Sequence, residues 1–454
     1  MKTIFITNAG WFELRNLLRT DAFEIMKSTK DIRIVIFAPA NLHDKICPSG
    51  ARENNVIMED LEMFELNTVE KLLLRMEELI FFNVNRTETV KIYEMIRKRN
   101  EYYKYLFFEP AKKFLGKNMN LIDALERLDM ILSKYKYRAY NYLFDKYGPS
   151  LLLSTNFMCR HDWALIKAAK LHKIPVVCMV ANWDHLFKGR LPKCDRVIVW
   201  NDFQKNQLIK YYGYDSENVF VSGIQHMDYF VRGKSKFLSK DEFLKSIGAA
   251  TNKKLITFTT MSTTASPFQP DMIEIICRAI IDEMVKRPSH LHVRLHPSDD
   301  LDRYEKLKQF GDIITFEKSL GSRYLGEEDI LHYANLLACS DVVVNIASTV
   351  TIDALAFDVP VVNIAFDGYV QRDLPDSAAR YFKYEHYDAV VRSGGVRVAN
   401  NAEELIRYIN SYLDNRWLDK DGRTKIVDEL CYKLDGRAGG RIGKYVLNFL
   451  EKHA

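Results

Sequence analysis

A phosphate oxygen is held by hydrogen-bond donors, and three stretches in the second half of the chain offer donors at the ends of apolar runs. In "LHVRLHPSDD" (291–300), Val293 and Leu295 alternate with His292, Arg294 and His296, and a proline stops the run. Such an alternating strand is either an edge strand capped by a turn or a strand end that delivers Arg294 and His296 to an anion. In "ACSDVVVNIASTVTIDALAF" (338–357) an apolar strand breaks at Ala347-Ser348-Thr349, where a helix begins. Ser348 or Thr349 can cap backbone N–H groups there; with a phosphate present, the hydroxyls and free amides can serve it instead. Asp353 follows Thr349 by one helical turn and could reach a ribose hydroxyl, the bland alternative being a plain N-cap with a surface Asp. The third stretch, "FTTMSTTASPF" (258–268), places Ser262, Thr263 and Thr264 in a loop after a strand. Each piece alone is ordinary; together they make a phosphate pocket.

A group transfer onto a hydroxyl also needs a base, and the first half supplies candidates. "NFMCRHDWALIKAAK" (156–170) puts His161 and Asp162 after a strand and at a helix start, and "ANWDHLFKGR" (181–190) puts Asp184 and His185 after the next strand. An imidazole or carboxylate so placed suits general-base work. An N-cap explains Asp162 equally well, and a polar turn Asp184 and His185. Asn8 and Gly10 form a tight loop where an acceptor could approach the backbone, or an ordinary strand-to-helix turn.

Alternating segments must position these residues. "KTIFIT", a Gly-containing turn, a helix-like stretch "WFELRNLLRTDAFEIMKST" and "IRIVIFAP" read as a βαβ unit, which implies a parallel sheet. From about 58 to 147 the spacing turns helical, as in an insertion. Aromatic residues interleave there with Lys and Arg, which fits core packing with snorkelling lysines, or else contact with an anionic membrane surface or a glycan. Alternation then resumes to about 230, the polar segment 232–254 marks a boundary, and a second βα series begins at "KLITFTT". The chain has 454 residues, too many for one ordinary core, and its 47% hydrophobic and 28% charged composition is that of a globular protein. With 65 basic against 60 acidic residues, charge gives no reason to propose nucleic acid as a partner. No run reaches ~18 apolar residues, and the N-terminus reads as a strand rather than a signal peptide. Seven scattered cysteines without a C-x-x-C spacing argue against a structural zinc site and a disulfide framework, and for a reducing, cytoplasmic compartment. Neither half carries a G-x-G-x-x-G or P-loop motif.

"RLHP" followed some fifty residues later by "SDVVVNIAST" and "DALAFDVPVVNI" resembles the donor half of GT-B glycosyltransferases. The likeness is nearest to the group of CDP-glycerol glycerophosphotransferases, capsule-polymer transferases and bacterial sialyltransferases. "WNDFQKNQLIKYYG", "VFVSGIQHMDYF" and "DGRAGGRI" extend it, so that it covers roughly 150–442. The pair Ser348-Thr349, preceded by Asn345-Ile346-Ala347, matches no single subfamily closely enough to name the nucleotide.

The resemblance implies an α/β GT-B fold of two doubly wound, Rossmann-like domains facing a cleft. An acceptor domain would cover 1–235 and include the insertion; a nucleotide-donor domain would cover 236–425, and a helix in 426–454 would cross back to the first. It implies an inverting, metal-independent transferase moving a sugar from a nucleotide donor to a surface glycan, lipid-linked or protein acceptor. Arg294, His296, Ser348, Thr349, Asp353, Ser262 and Thr263 would then hold the donor, and Asn8 and Gly10 would lie on the acceptor side. Asp162, with His161, is the first choice of base and Asp184 the second. No cofactor beyond the nucleotide sugar is expected. The alternatives are a CDP-alcohol phosphotransferase, a nucleotide-sugar 2-epimerase and a non-catalytic glycan-binding protein.

Overall fold

The computed structural model describes all residues except 11–12, 47–54, 117–118, 184–185, 187–188, 319–326 and 454. It contains two sheets. β1 (Lys2–Thr7), β2 (Ile32–Ala38), β3 (Val56–Asp60), β4 (Pro149–Ser154), β5 (Val176–Met179), β6 (Arg196–Val199) and β7 (Val219–Val221) lie in the order β3-β2-β1-β4-β5-β6-β7. β8 (Lys254–Thr259), β9 (Ser289–Leu295), β10 (Ile314–Lys318), β11 (Val342–Asn345), β12 (Val361–Ile364) and β13 (Arg397–Ala399) lie in the order β10-β9-β8-β11-β12-β13. All pairings among the described residues are parallel. Parallel strands covered on both faces need near-continuous apolar runs, and Ile4–Ile6 and Val342–Val344 are fully buried accordingly. In each sheet the chain starts in the middle: β1 lies between β2 and β4, and β8 between β9 and β11. Those are the points where strand order reverses, and crevices for ligands open there beyond the carboxyl ends.

The chain divides into two compact units, Met1–Asp228 with Asp435–Ala454, and Tyr229–Leu434. The helix Ala438–His453 belongs to the first unit, where Ile442, Val446, Phe449 and Leu450 join the core of the β1 sheet. Its close approach needs glycine: a Cβ on Gly443 would lie 3.0 Å from the Ala22 carbonyl oxygen and 3.2 Å from the Ala22 Cα. Buried Asp228 caps this helix, its two carboxylate oxygens accepting from Ala438 N–H at 3.0 Å and Gly439 N–H at 2.7 Å. A cap of this kind is worth about 1 kcal/mol.

Several expectations change. The helical insertion starts later than residue 58, because Val56–Asp60 forms β3 at the sheet edge; "VIMED" is short and ends in two acids, which hides a strand. The single helix read after Gly10 is two pieces, a π-type turn Leu14–Leu18 and a helix Asp21–Ser28 whose N-cap is Thr20. The expectation of no disulfide is also corrected. Cys178 lies on β5 and Cys194 just before neighbouring β6, so sheet pairing joins two thiols that stand 16 residues apart. Of the insertion's aromatics, Tyr137, Tyr140 and Phe144 are core, whereas on the helix Tyr102–Leu115 Tyr103 (86% exposed) and Phe114 (92%) point outward together with Leu106.

Candidate functional site

At the β8/β11 reversal, Ser348 is the N-cap of the helix Thr349–Ala356, its Oγ accepting from Val350 N–H at 3.3 Å. Ser348 and Thr349 are half-buried. A buried polar network sits beneath them. Asn363 Nδ2 donates to Asn345 Oδ1 (2.8 Å), the Ile346 carbonyl (3.0 Å) and Thr351 Oγ1 (3.2 Å), while Tyr387 Oη donates to Asn363 Oδ1 (2.7 Å). Four fully buried side chains thus fix the backbone just before the helix start. The loop after β8 is equally constrained. The Gln269 carboxamide clasps Met261 through both its N–H (2.5 Å) and its carbonyl (3.1 Å), and Arg380 and Tyr381 hold the Ala265 carbonyl at 2.8 and 2.9 Å. This loop carries Ser262 and Thr263.

His296 follows β9, and its backbone N–H donates to Thr260 Oγ1 at 2.7 Å. Its Nδ1 accepts from Ser298 N–H at 3.1 Å, so the ring proton resides on Nε2. Burial lowers the imidazole pKa, with Asp299 opposing, which leaves a neutral ring whose Nε2–H is a donor. Ser262, Thr263, His296, Ser348 and Thr349 therefore stand at the carboxyl ends of three adjacent strands, β9, β8 and β11.

Arg294 and Asp353 do not stand with them. Arg294 pairs with Glu317, its register partner on β10, and lies 4.9 Å over the Tyr333 ring. His292 and His332 approach the same carboxylate with Nε2 at 3.2 and 2.5 Å. Burial alone would raise the Glu317 carboxyl, but the two imidazoles and Arg294 hold it well below the usual range. The charge of Arg294 is thus largely spent inside the unit. Asp353 is buried and accepts from Tyr333 Oη at 2.9 Å, facing the protein rather than an open position. Glu317 and His332 were missed in the sequence. The signal was there in part, since Thr315 and Glu317 alternate on β10 as His292 and Arg294 do on β9.

At the β1/β4 reversal, Asp162 is fully buried in the first turn of the helix Arg160–Leu171. Its Oδ2 accepts from the hydroxyls of Thr7 and of Ser154 (2.7 Å for the latter). Burial pushes its carboxyl up to about 7, helped by the charge of Glu13 and opposed by the two hydroxyls. A carboxyl poised there can exchange a proton near neutrality. His161 is partly buried, and burial lowers its pKa. Asn8 directly follows Thr7, and its Nδ2 donates to the Gly10 carbonyl at 3.2 Å. Buried Glu13, absent from the sequence candidates, accepts from Asn156 Nδ2 at 2.7 Å. Asp184 and His185 lie outside the described residues. Among the described residues no group of three or more His, Cys, Asp or Glu side chains could hold a metal ion.

The family model described as CDP-Glycerol:Poly(glycerophosphate) glycerophosphotransferase matches residues 91–448. No curated protein sequence matches the chain. Among solved structures, MnaA of S. aureus with UDP aligns over 99% of this chain and 97% of its own at TM-score 0.59 and 13% identity. The UDP-GlcNAc 2-epimerase of Neisseria meningitidis bound to UDP-GlcNAc aligns over 99% and 100% at TM-score 0.57 and 12% identity. A variant of the wall teichoic acid polymerase TagF aligns over 99% and 89% at TM-score 0.51 and 11% identity. At these identities the likeness is one of fold.

Proposed function

The chain belongs to the CDP-glycerol:poly(glycerophosphate) glycerophosphotransferase family, and from that premise we propose that it moves a phospho-alcohol from a CDP-alcohol donor to a hydroxyl of a polymeric acceptor. The acceptor oxygen bonds to the distal phosphorus of the donor, the bond from that phosphorus to the bridging oxygen breaks, and CMP leaves with the electron pair. The acceptor's proton passes to a base of the first unit, for which Asp162 is the candidate. His296 Nε2–H, the hydroxyls of Ser348 and Thr349 and the amides at the start of their helix take the charge of the departing phosphate, so that no metal is required. The observation that carries this reading is the family match over 91–448, spanning both the acceptor-side residue Asp162 and the donor loop. Between transfer of a phospho-alcohol and transfer of a sugar, that match favours the first.

The test supplies the purified protein with CDP-glycerol carrying a labelled distal phosphorus, or with nucleotide sugars, beside a glycerophosphate oligomer. The expected result is CMP release with the label on the oligomer, undiminished by EDTA. Release of nucleoside diphosphate from a nucleotide sugar would instead mean sugar transfer, and turnover of UDP-GlcNAc without acceptor would mean epimerisation.

We also infer contact with an anionic membrane surface. Residues 97–117 hold seven Lys or Arg against two acids, and Tyr103, Leu106 and Phe114 project from the same segment. Apolar side chains beside clustered positive charge bind the headgroup boundary of anionic lipid. No helix of the described residues is long and apolar enough to cross a membrane. Replacing Tyr103 and Phe114 together by Ser should lower sedimentation with phosphatidylglycerol vesicles about tenfold or more, since each exposed ring contributes on the order of 1.5 kcal/mol when buried. Equal sedimentation of variant and parent would refute the contact.

A further inference from the structure

Glu13 is a buried acid that the transfer chemistry leaves unused. It is 4% exposed, and among the described residues no Lys, Arg or His pairs with it. Its Oε1 accepts from Asn156 Nδ2 at 2.7 Å, a contact between residues 143 apart in the chain. Its Oε2 folds back on the loop after β1, 3.1 Å from the point that a Cβ on Gly10 would occupy, so the missing side chain of Gly10 makes room for the carboxylate.

The same asparagine starts the turn that launches the helix of Asp162. The Asn156 carbonyl accepts from Cys159 N–H at 2.7 Å, and the Cys159 carbonyl from Asp162 N–H at 3.1 Å. One residue earlier, Thr155 N–H donates to Thr7 Oγ1 at 3.1 Å and Thr155 Oγ1 to the Thr7 carbonyl at 2.6 Å, while Thr7 Oγ1 donates to Asp162. A connected group thus runs from Glu13 through Asn156 and Thr155 to Thr7 and Asp162, with a carboxyl at each end and no cation in it. Two carboxyls kept close in a buried place hold their protons unequally.

The titratable groups that face Asp162 come from three places. Cys159 and His161 stand at its own helix start, Tyr140 just before the helix Asn141–Tyr147, and Glu13 just before the turn Leu14–Leu18. Burial raises the Cys159 thiol to about 12 and raises the Tyr140 phenol, and it lowers the His161 imidazole, so these three are neutral near pH 7. Arg160 and Lys167 of the same helix, and Lys136 of the segment packed on it, are engaged by Glu78, Asp129 and Glu70. Glu13 is the charge that remains to act on Asp162.

We propose that Glu13 is a positioning residue of the transfer, whose carboxylate ties down the turn that carries Asp162 and, as the negative charge facing that buried acid, makes it a stronger base toward the acceptor hydroxyl. The inference rests on Asp162 being the base in the reading above.

The pH dependence of CMP release from CDP-glycerol, with the full chain and a glycerophosphate oligomer, reads the charge apart from the tie. Glu13→Gln keeps an oxygen for Asn156 Nδ2 and removes the charge. The pH of half-maximal turnover should then fall by about 0.5 or more, so that turnover at pH 6, relative to the plateau, rises about twofold to threefold. Glu13→Asp keeps the charge and should hold the parental midpoint. Glu13→Ala removes the charge as well, and its midpoint is read in the same way should the Gln variant fold poorly. The proton on Asp162 is also followed without substrate, as the pH titration of the infrared carboxyl band that is missing from Asp162→Asn. If that band titrates in Glu13→Gln where it does in the parent, or if the kinetic midpoint stays in place, the proposal is overturned and Glu13 is a structural tie alone. If CDP-glycerol is never turned over and yet the band moves to lower pH, the transfer reading fails while the action of Glu13 on Asp162 stands.

Discussion

His296→Ala should weaken binding of CDP by about tenfold to 150-fold, because it removes a hydrogen bond to a charged phosphate worth about 1.5–3 kcal/mol. The donor is the Nε2–H of a neutral ring, since Ser298 N–H occupies Nδ1 and burial lowers the pKa. It follows that affinity holds as pH rises through neutrality, whereas a contact made by a charged imidazolium would fade. Ser348→Ala should weaken CDP less, by about fivefold to tenfold, since it removes one hydroxyl and one helix cap of about 1 kcal/mol. Calorimetry of CDP, UDP and GDP on parent and variants, repeated at pH 6, 7 and 8, reads all of this. Undiminished binding by His296→Ala would remove the imidazole from the donor site, and a loss of affinity between pH 6 and 8 would reassign its protonation state.

Asp162→Asn should cut turnover by roughly two to four orders of magnitude, the usual contribution of a general base, while the protein becomes more stable above neutral pH. The carboxyl is raised from 3.8 to about 7, mainly by burial. Between those values the folded chain keeps a proton that the unfolded chain gives up, so the group's contribution to stability falls as pH rises through the window and stays low above it. Asparagine carries no charge to bury. Its carbonyl can accept from Thr7 and Ser154 as Oδ2 does. The melting temperature of Asp162→Asn relative to the parent should therefore climb from pH 4 to pH 7 and then level off. Parental turnover should rise across the same range. A variant that keeps its turnover would leave Asp162 a structural acid, and one that gains no stability would show that the carboxyl is not held protonated.

The donor side was easier to read in the sequence than the acceptor side because its residues sit at strand ends. His296 after an alternating run and Ser348 between an apolar run and a helix are local signals, and strand alternation recovered most of both sheets. What escaped depends on pairing between distant segments. Glu317 meets Arg294 only through the β9/β10 register, and Cys178 meets Cys194 only because β5 and β6 are neighbours. The Asn345–Asn363–Thr351–Tyr387 network draws on four elements, none of which looks unusual alone. β3 escaped for a different reason, its five residues being too short and too acidic to alternate visibly.

The cap that Asp228 places on the helix Ala438–His453 has a bearing on how the chain is made. The two ends of the unit Tyr229–Leu434 leave and rejoin the first unit within a few residues of one hydrogen bond, so along the chain the second unit is in effect a guest inserted into its host. On the ribosome the guest is synthesised before residues 435–454, which the host's β1 sheet needs to complete the core around Leu17, Ala22 and Met26. A chain stopped at residue 434 should carry a sound guest on a host with an open apolar flank. A chain in which a short linker joins 228 to 435 should yield the host alone.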